Sequence, residues 1–377
     1  MGQPSNLKYI ILKAAILFAL FNLAFALFEI TPILGQISLY NVLFPGRVRL
    51  PYADFPEKAY NLSTFNLEAM FASHEINAGL KPADEFRLVV LGDSSIWGWL
   101  LPAQETLTSH LNARHLVVPD DGRRLRAYNL GYPVMSLTKD LLILATALRY
   151  QPDMILWSIT LESMPYDKQL SPPLLRNNPG SVQQLASEFN LRLDLSELPT
   201  SERGFWGRTI VGHRRGLADW LRLQLYGVMW AATGIDQYIP ADYTPRMEDL
   251  PPDVAFHNLL PPSLSESNLA LDVLKAGIQA AGDIPVLLVN EPVFISQGEN
   301  SDIRYNFFYP RWAYDSYRQL MAEKSRDQHW AYWDAWDVVP AEEFTNSAVH
   351  LSSKGSLIFS SFVEKYVIEY LKGSQNF

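Results

Sequence analysis

Residues 87 to 98 read Arg87-Leu-Val-Val-Leu-Gly-Asp-Ser-Ser-Ile-Trp-Gly98, and this stretch indicates both a fold class and a reactive site. The apolar run from Leu88 to Leu91 has the length and composition of a strand buried on both faces. It leads into Gly92-Asp93-Ser94, and open α/β sheets bind their ligands where parallel strands end. Because Gly92 permits a tight turn and a helix can begin next, Ser94 is predicted to lie near free backbone N–H groups, as a nucleophile requires.

Four more runs along the chain have the character of strands, and helical segments separate them. With the first, the strand candidates are Arg87–Asp93, Arg126–Leu130, Met154–Thr160, Pro285–Asn290 and His329–Trp336. Helical periodicity fits Thr106–Leu111, Thr138–Tyr150, Leu269–Ala281, Tyr314–Lys324 and Leu357–Leu371. Strands that alternate with helices indicate a parallel sheet with helices on both faces. The predicted fold class is therefore α/β, with a five-stranded parallel sheet.

Composition narrows the classes of function. The chain has 377 residues, 48% of them apolar, so it is long enough for one large domain with insertions or for two domains. Its net charge of −9 and its lack of a long basic run argue against nucleic acid as the main partner. The absence of cysteine excludes disulfides, thiolate catalysis and cysteine-ligated zinc. The seven histidines form no HxH or HxxxH pair, so neither a histidine-built metal site nor a cofactor is expected.

The N-terminus predicts a membrane anchor. Residues 9–28 are apolar apart from Lys13 and Asn22, and about 20 such residues are enough for a helix to cross a bilayer. Lys13 lies on the N-terminal side, where its ammonium can extend to the interface. The positive-inside bias then places the N-terminus in the cytoplasm and the main domain outside it, on a single-pass protein of the cell membrane. A cleaved signal peptide is the alternative, since Ala24-Phe25-Ala26 resembles a cleavage site.

The rest of the chain divides into a lead-in and a main domain. We expect residues 1–29 to form the anchor, residues 30–84 a juxtamembrane stretch with a helical pattern at Phe65–Ile76, and residues 85–377 the main domain. About residues 162–267 interrupt the alternation with prolines and polar segments, so we interpret them as a largely helical insertion. Within it, Leu217–Ile235 is apolar and rich in aromatic residues, which fits an ordinary packed helix or one lying in a membrane interface.

A serine needs a base and an oxyanion hole before it can act as a nucleophile. His350 lies in a loop just before the C-terminal helix, where it can point at the edge of the sheet, and is the candidate base. A surface histidine is the plain alternative. Gly131, in Asn129-Leu-Gly-Tyr-Pro133 after the second strand, is the candidate donor of an oxyanion-hole N–H, with a simple turn glycine as the alternative.

Together these segments resemble the motifs of the SGNH/GDSL hydrolase superfamily. Gly92-Asp93-Ser94, the motif at 129–133 and His350-Leu-Ser-Ser-Lys-Gly355 follow in the family's order and in its strand–loop contexts. The resemblance covers roughly residues 85–165 and 283–372 and implies a three-layer α/β/α sandwich. It also implies that Ser94 is the nucleophile, that the N–H groups of Ser94 and Gly131 bind the oxyanion, and that His350 is the base.

Two positions depart from that family's pattern. Where the family usually has Gly-x-Asn-Asp after the third strand, this chain has Thr160-Leu-Glu-Ser163, so Thr160 or Ser158 would have to supply the missing oxyanion donor. Where the family commonly has Asp-x-x-His, the acidic position is Ser347, and Asn346 precedes it. The Asn346 amide oxygen can accept a hydrogen bond from the histidine ring, but it cannot stabilise an imidazolium as a carboxylate would. Acids from neighbouring loops are the alternative orienting groups: Asp334, Asp337 and Glu343.

Further polar residues are expected to line the site and contact substrate. Several lie at predicted strand ends, and two lie between residues 300 and 318, where aromatic side chains alternate with Arg, Asn and Asp. Such a mixture is typical of carbohydrate surfaces, and it suits a structured loop equally well. The candidates are Asp93, Glu162, Asn290, Glu291, Arg304 and Asn306.

The anchor, the sheet domain and the insertion together resemble membrane-anchored members of the superfamily, the DltD-like and alginate O-acetylation proteins. This resemblance implies a serine esterase or O-acyltransferase acting on glycan or lipid esters of the cell envelope through an acyl-Ser94 intermediate. A membrane partner would then bring the acyl group. The alternative is a catalytically weak or inactive accessory protein of a membrane complex, or a glycan-binding protein, which the missing asparagine and aspartate motivate.

Overall fold

The computed structural model describes residues 7–28, 33–34, 37, 39–43, 47–52, 67–119, 121–199, 204–233, 239 and 242–373. Within them, the strands are β1 Glu85–Leu91, β2 Arg124–Asn129, β3 Met154–Ile159, β4 Val286–Asn290 and β5 Ala331–Asp334. They form one sheet in the order β2-β1-β3-β4-β5, and every neighbouring pair is parallel. The predicted five-stranded parallel sheet is thereby confirmed, with each strand within two residues of its predicted start.

Helices fill the connections between the strands. In chain order they are α1 Leu7–Leu27, α2 Leu39–Leu43, α3 Leu67–Ala72, α4 Ser94–Trp97, α5 Leu107–Ala113, α6 Leu137–Ala147, α7 Pro173–Asn177, α8 Pro179–Phe189, α9 Arg214–Thr233, α10 Leu271–Ala281, α11 Arg311–Gln328 and α12 Ser353–Gly373. The predicted helical segments correspond to α5, α6, α10, α11 and α12. The structure extends α11 and α12 beyond the predicted ends. The added residues are mostly polar or glycine, so they do not show the apolar periodicity on which the prediction rests.

The alternation of side chains along the central strands produces two cores. In β1, Leu88 and Val90 face one core, and Val89 and Leu91 face the other. Helices α5 and α12 cover the first face, with Leu111 of α5 in that core. Helices α6, α10 and α11 cover the opposite face, where buried tyrosines of α11 pack. The result is a three-layer α/β/α sandwich whose β1 is buried on both faces, as parallel sheets require.

The chain between β3 and α10 holds α7, α8 and α9, followed by a mostly irregular segment at residues 242–268. The predicted helix at Leu217–Ile235 corresponds to α9, and residues 234–235 lie outside the described part. The predicted lead-in helix corresponds to α3 and a short 3-10 turn at Glu75–Asn77, while its first residues, 65–66, also lie outside the described part.

Helix α1 is the one described helix that is long and apolar enough to cross a membrane. It has 21 residues, a mean hydropathy of 2.4 over its most apolar window, and only 11% of that window buried in the protein. A signal sequence has the same length and composition, so these properties alone fit both of the predicted roles.

Candidate active site

The nucleophile turn joins β1 to α4 within two residues. Gly92 has a φ of +155°, and a Cβ there would lie 2.6 Å from Ile96 Cγ1, so the close approach of the turn to α4 requires glycine. Asp93 caps α4, because its Oδ1 accepts the N–H of Ser95 at 2.7 Å. Ser94 is therefore the first residue of the helix, at the carboxyl end of a central strand.

The structure brings Ser94, His350 and Asn346 into one hydrogen-bonded chain. Ser94 Oγ lies 2.7 Å from His350 Nε2, and His350 Nδ1 lies 2.8 Å from Asn346 Oδ1. An amide oxygen only accepts, so His350 carries its proton on Nδ1 and presents the Nε2 lone pair to the serine hydroxyl. This is the tautomer that a general base for Ser94 needs.

The surroundings of His350 favour the neutral imidazole. Burial lowers the pKa of His350 to about 4, although the nearby Asp93 carboxylate acts in the opposite direction. The Trp99 ring stacks on the imidazole, with 5.7 Å between ring centroids and 21° between planes. At neutral pH the ring is therefore uncharged and free to accept a proton.

The loop that carries His350 is tied to the chain between β3 and α10 by Arg246. The Thr345 N–H donates to His350 O at 2.8 Å, and the Arg246 N–H donates to Thr345 O at 2.9 Å. The Arg246 guanidinium also donates to Phe344 O and Ala341 O, at 2.7 Å each. Sequence reasoning missed Arg246, because it lies about 100 positions before the loop that it holds and in no recognisable motif.

Gly131 packs against the nucleophile helix, but its N–H is already engaged. A Cβ at Gly131 would lie 2.5 Å from Trp97 N, so only glycine permits this contact with α4. The Gly131 N–H donates to Asn129 Oδ1 at 3.1 Å, and Asn129 Nδ2 donates to Ile96 O at 2.7 Å. The Ser94 N–H lies in the first turn of α4, where a helix offers its N–H groups no internal acceptor.

The residues after β3 bind one another. Thr160 Oγ1 lies 2.8 Å from the Tyr309 hydroxyl, which also accepts the Glu162 N–H at 3.3 Å. Glu162 forms an ion pair with Lys168 and lies 3.3 Å from His257 Nε2. The contacts described for Thr160 and Glu162 therefore do not include Ser94. Ser158, the alternative donor, is buried next to the Gly92 turn, and its hydroxyl has no hydrogen-bond partner among the described residues.

Three of the predicted substrate ligands are buried and bound to the protein. Asn290 Nδ2 donates to Asp334 Oδ1 at 2.8 Å and to Tyr314 in the core. The Arg304 guanidinium donates to three backbone carbonyls, those of Asp253, Asn306 and Phe307. Asn306 holds the same loop through Phe294 O and two backbone N–H groups. These contacts give Asn290, Arg304 and Asn306 structural roles, with their polar groups directed at other protein groups.

The alternative acids for orienting His350 are engaged elsewhere. Asp334 pairs with Asn290 and with Arg318 Nε at 2.7 Å. Glu343 binds Lys354 and the Ser352 hydroxyl. Asp337 is exposed. The group that meets His350 Nδ1 is Asn346.

A buried pair of carboxyl groups lies beside the nucleophile turn. The Ser95 hydroxyl donates to Glu291 Oε2, and Glu291 is only 1% exposed. Burial, together with the negative charge of the neighbouring Asp93, raises the pKa of Glu291 well above its usual value. The raised pKa favours the protonated form of Glu291, because burial and the Asp93 charge both oppose a second carboxylate there.

A buried lysine holds the backbone around this turn. Lys139 is 0% exposed, and its ammonium donates to Gly92 O at 2.8 Å and to Tyr132 O at 2.6 Å. Asp140 balances the charge, with Oδ1 2.8 Å from Nζ. The ammonium thus connects the turns after β1 and β2. Sequence reasoning missed Lys139 because a lysine inside a helical pattern normally indicates an exposed face.

Ser94, His350 and Asn346 lie within hydrogen-bond reach of one another, an arrangement that can support acyl transfer through serine. Among the described residues, no group of three or more His, Asp or Glu side chains is arranged to hold a metal ion.

No protein-family model matches the chain, and no curated protein matches it. Similar solved structures include a carbohydrate acetylesterase family member from Sinorhizobium meliloti, with 10% identity and a TM-score of 0.34 over 76% of this chain and 99% of that one. The aryl esterase of M. smegmatis has 11% identity and a TM-score of 0.32 over 75% and 98%. An alpha/beta hydrolase enzyme from the metagenome of Lake Arreo has 13% identity and a TM-score of 0.33 over 75% and 95%. At such identities and scores, the activities remain those of the similar proteins.

Proposed function

We propose that this protein is a membrane-anchored, extracytoplasmic serine esterase or O-acyltransferase. The observation that carries the proposal is the 2.7 Å contact between Ser94 Oγ and His350 Nε2, with Nδ1 of the same ring held by Asn346. A nucleophile, a base and an orienting group within hydrogen-bond reach are the signature of an activated serine.

The first half-reaction forms an acyl-enzyme. Ser94 Oγ attacks the ester carbonyl carbon while its proton passes to His350 Nε2. The C–O bond to the leaving alcohol then breaks, and His350 returns the proton to the departing oxygen. In the second half-reaction, water or a sugar hydroxyl attacks the acyl carbon and gives its proton to His350 Nε2. The bond between that carbon and Ser94 Oγ then breaks, and His350 returns the proton to Ser94 Oγ.

Charge stabilisation in this site rests on fewer groups than in a full triad with a complete oxyanion hole. The Ser94 N–H is the proposed oxyanion donor, while the Gly131 N–H would have to leave Asn129 Oδ1 to contribute. Asn346 orients the imidazole but carries no negative charge to stabilise its protonated form. Because burial lowers the pKa of His350, protonation of the ring during the reaction costs free energy. We therefore propose slow turnover, suited to an activated acyl donor.

The substrate class follows from the anchor. A domain tethered by α1 works within reach of the membrane surface, so acyl groups on envelope glycans or lipids are the proposed substrates. A membrane partner that delivers an acyl group would make the protein an acyltransferase, whereas water as the acceptor would make it an esterase.

The test is covalent labelling of the full chain by a serine-reactive fluorophosphonate, combined with hydrolysis of p-nitrophenyl acetate. We expect one labelled serine, Ser94, and loss of both label and hydrolysis in Ser94→Ala. Ser171→Ala is the matched control, because that serine is exposed and its hydroxyl binds only Lys168 O in its own turn.

Absence of label at Ser94 in folded protein would favour the non-catalytic accessory role. The observation that supports this second candidate is the engagement of the Gly131 N–H and the Thr160 hydroxyl by other protein groups.

A further inference from the structure

Among the described residues, the buried part of α1 is its C-terminal part. Asn22, Phe25 and Ala26 are the buried residues of this helix, and the large apolar side chains before them are exposed. The contacts come from the chain just before α9: the Val211 N–H donates to Asn22 Oδ1 at 3.3 Å, and the Phe25 ring lies 5.6 Å from that of His213. This arrangement fixes where along α1 the main domain meets the helix.

The depth of this contact follows from helix geometry. At 1.5 Å per residue, the 21 residues of α1 span about 32 Å, close to the roughly 30 Å of a bilayer's hydrocarbon core. Asn22 lies five residues before Leu27, which is about 8 Å along the axis. Phe18 also borders the cleft between α1 and residues 205–214, and it lies about 14 Å from Leu27. If α1 spans the core, the segment that contacts it lies below the membrane surface.

The composition of this segment suits that depth. Trp206 is 80% exposed, and Phe205 and Val211 are also exposed. In α9, Leu221, Leu225 and Met229 are exposed at intervals of four residues, which places them on one stripe of the helix. A soluble surface rarely exposes so many large apolar side chains together, and a membrane interface favours them.

Several polar groups where the segment meets α1 are hydrogen-bonded, which lowers the free-energy cost of placing them in hydrocarbon. The Asn22 amide donates to Phe18 O at 2.9 Å, and its Oδ1 accepts from Val211. The Gly207 N–H donates to Gly204 O at 2.8 Å, and the Thr209 hydroxyl donates to Trp206 O at 2.7 Å. Asn22 is thus a polar residue inside an apolar helix whose partner is the segment itself.

We propose that residues 204–233 enter the leaflet on the side of the main domain, clamped to α1 through Asn22, with the lipid bilayer as their partner. The inference rests on the membrane anchoring in the proposed function and goes beyond it, because it assigns a second membrane contact. The exposed Arg214 and Arg215 begin α9, where they can reach lipid phosphates. The main domain would then be held at a fixed height above the membrane instead of swinging on a single helix.

The absence of cysteine makes this geometry measurable, since one introduced cysteine can be labelled alone. We would attach the fluorophore NBD to Trp206→Cys and, separately, to Leu225→Cys in the full chain reconstituted into phosphatidylcholine vesicles. Leu80→Cys is the matched control, because Leu80 is an equally apolar residue, 97% exposed, in the connection before β1. Doxyl-labelled lipids quench from within the bilayer, and iodide quenches from water.

We expect lipid-borne quenching at Trp206→Cys to exceed that at Leu80→Cys severalfold, with iodide quenching in the reverse order. Equal iodide quenching at positions 206, 225 and 80 in vesicle-bound protein would overturn the inference. Protection from both quenchers would also overturn it, because a second copy or another protein would then cover the surface.

The clamp has its own test in Asn22→Leu, which removes the acceptor of the Val211 N–H and makes α1 more apolar. We expect this variant to stay in the vesicles while the probe at position 206 becomes more accessible to iodide. An unchanged probe would overturn the role of Asn22. Protein that leaves the vesicles in alkaline carbonate would instead overturn the anchoring itself, and the labelling of Ser94 reports independently on the proposed chemistry.

Discussion

Two histidines near the carboxyl edge of the sheet have opposite surroundings. His350 lies between the Ser94 hydroxyl and the Asn346 amide, and burial lowers its pKa to about 4. His257 is half-buried between two carboxylates, Glu162 at 3.3 Å and Asp167 at 3.2 Å, and the hydrogen bond to Glu162 raises its pKa.

The comparison shows that an acid next to a histidine does not by itself make a base. Carboxylates face both ring nitrogens of His257 and favour its charged form, in which both nitrogens donate. His350 lacks a carboxylate and keeps its lone pair. The histidine that pairs with acids is therefore His257, which has no serine among its described partners. Its contacts with Glu162 and Asp167 stabilise the structure.

Removal of each imidazole gives the largest expected contrast. We expect His350→Ala to lower kcat/KM for p-nitrophenyl acetate by about 10²- to 10⁴-fold, the usual contribution of a general base. His257→Ala should change it less than about threefold, since the described contacts of that ring are with Glu162 and Asp167 and not with Ser94. Steady-state kinetics on both variants, with circular dichroism as a check of folding, decide the matter. Similar losses at both positions would break the comparison.

Asn346→Asp makes the surroundings of His350 more like those of His257. A carboxylate at Nδ1 stabilises the imidazolium, so the pKa of His350 should rise by one unit or more and kcat should increase about tenfold.

The wild-type kcat/KM should stay level above about pH 5 and fall as the pH drops through about 4, where Nε2 takes up a proton. The variant's acid limb should lie nearer pH 6. Asn346→Leu is the control: it should lower activity without moving the limb upward.

Glu162→Gln removes the main acid of the other histidine. Its pKa is lowered in the folded protein because the hydrogen bond from His257 and the charge of Lys168 outweigh burial, which alone would raise it. The Glu162–His257 pair is charged on both sides between the ordinary values of 4.5 and 6.5, so the variant should lose most stability there, roughly 1 kcal/mol. Above pH 6.5, His257 loses its charge as the pH rises through its raised pKa. The stability that the variant loses relative to wild type should therefore become smaller, because the wild-type ion pair is weaker there. Urea unfolding at pH 5.5 and 8.5 measures the difference, and a loss independent of pH would contradict this account.

Glu291→Gln tests whether burial disfavours the charged form of Glu291, as it does for His350. A raised pKa means that the contribution of Glu291 to stability is full below 4.5 and declines as the pH rises. The glutamine, which mimics the neutral acid, should therefore gain about 2–4 °C in Tm relative to wild type at pH 8 and nothing at pH 4.5. Calorimetry at the two pH values tests this small effect, and a lower Tm at pH 8 would show that Glu291 is ionised and stabilising.

The sequence predicts the sheet well because strands buried on both faces give long apolar runs, as at Val89 and Leu156. It places Ser94 and His350 together because both follow the topology of parallel strands, whose ends meet at one edge. Their contact could be expected from chain order, although 256 positions separate them.

The rest depends on side-chain direction, which a strand-end position does not determine. Asn290 and Glu291 are neighbours in the sequence, yet the first turns to core tyrosines and the second to Ser95. In the sequence, Arg304 and Asn306 suit sugar binding because their side chains donate hydrogen bonds. In the structure, the same groups donate to backbone carbonyls and hold a loop. His257 and Glu162 are 95 positions apart, and no sequence motif predicts their contact.

The stacking of Trp99 on His350 gives the protein an optical reporter of its own. A protonated imidazolium quenches indole fluorescence by accepting an electron from the excited ring, whereas the neutral imidazole does so much less. Light emitted by this tryptophan should therefore dim when His350 captures the serine's proton. Comparing emission spectra with those of Trp99→Phe would isolate that signal from the nine other tryptophans and allow the base to be followed within a single turnover.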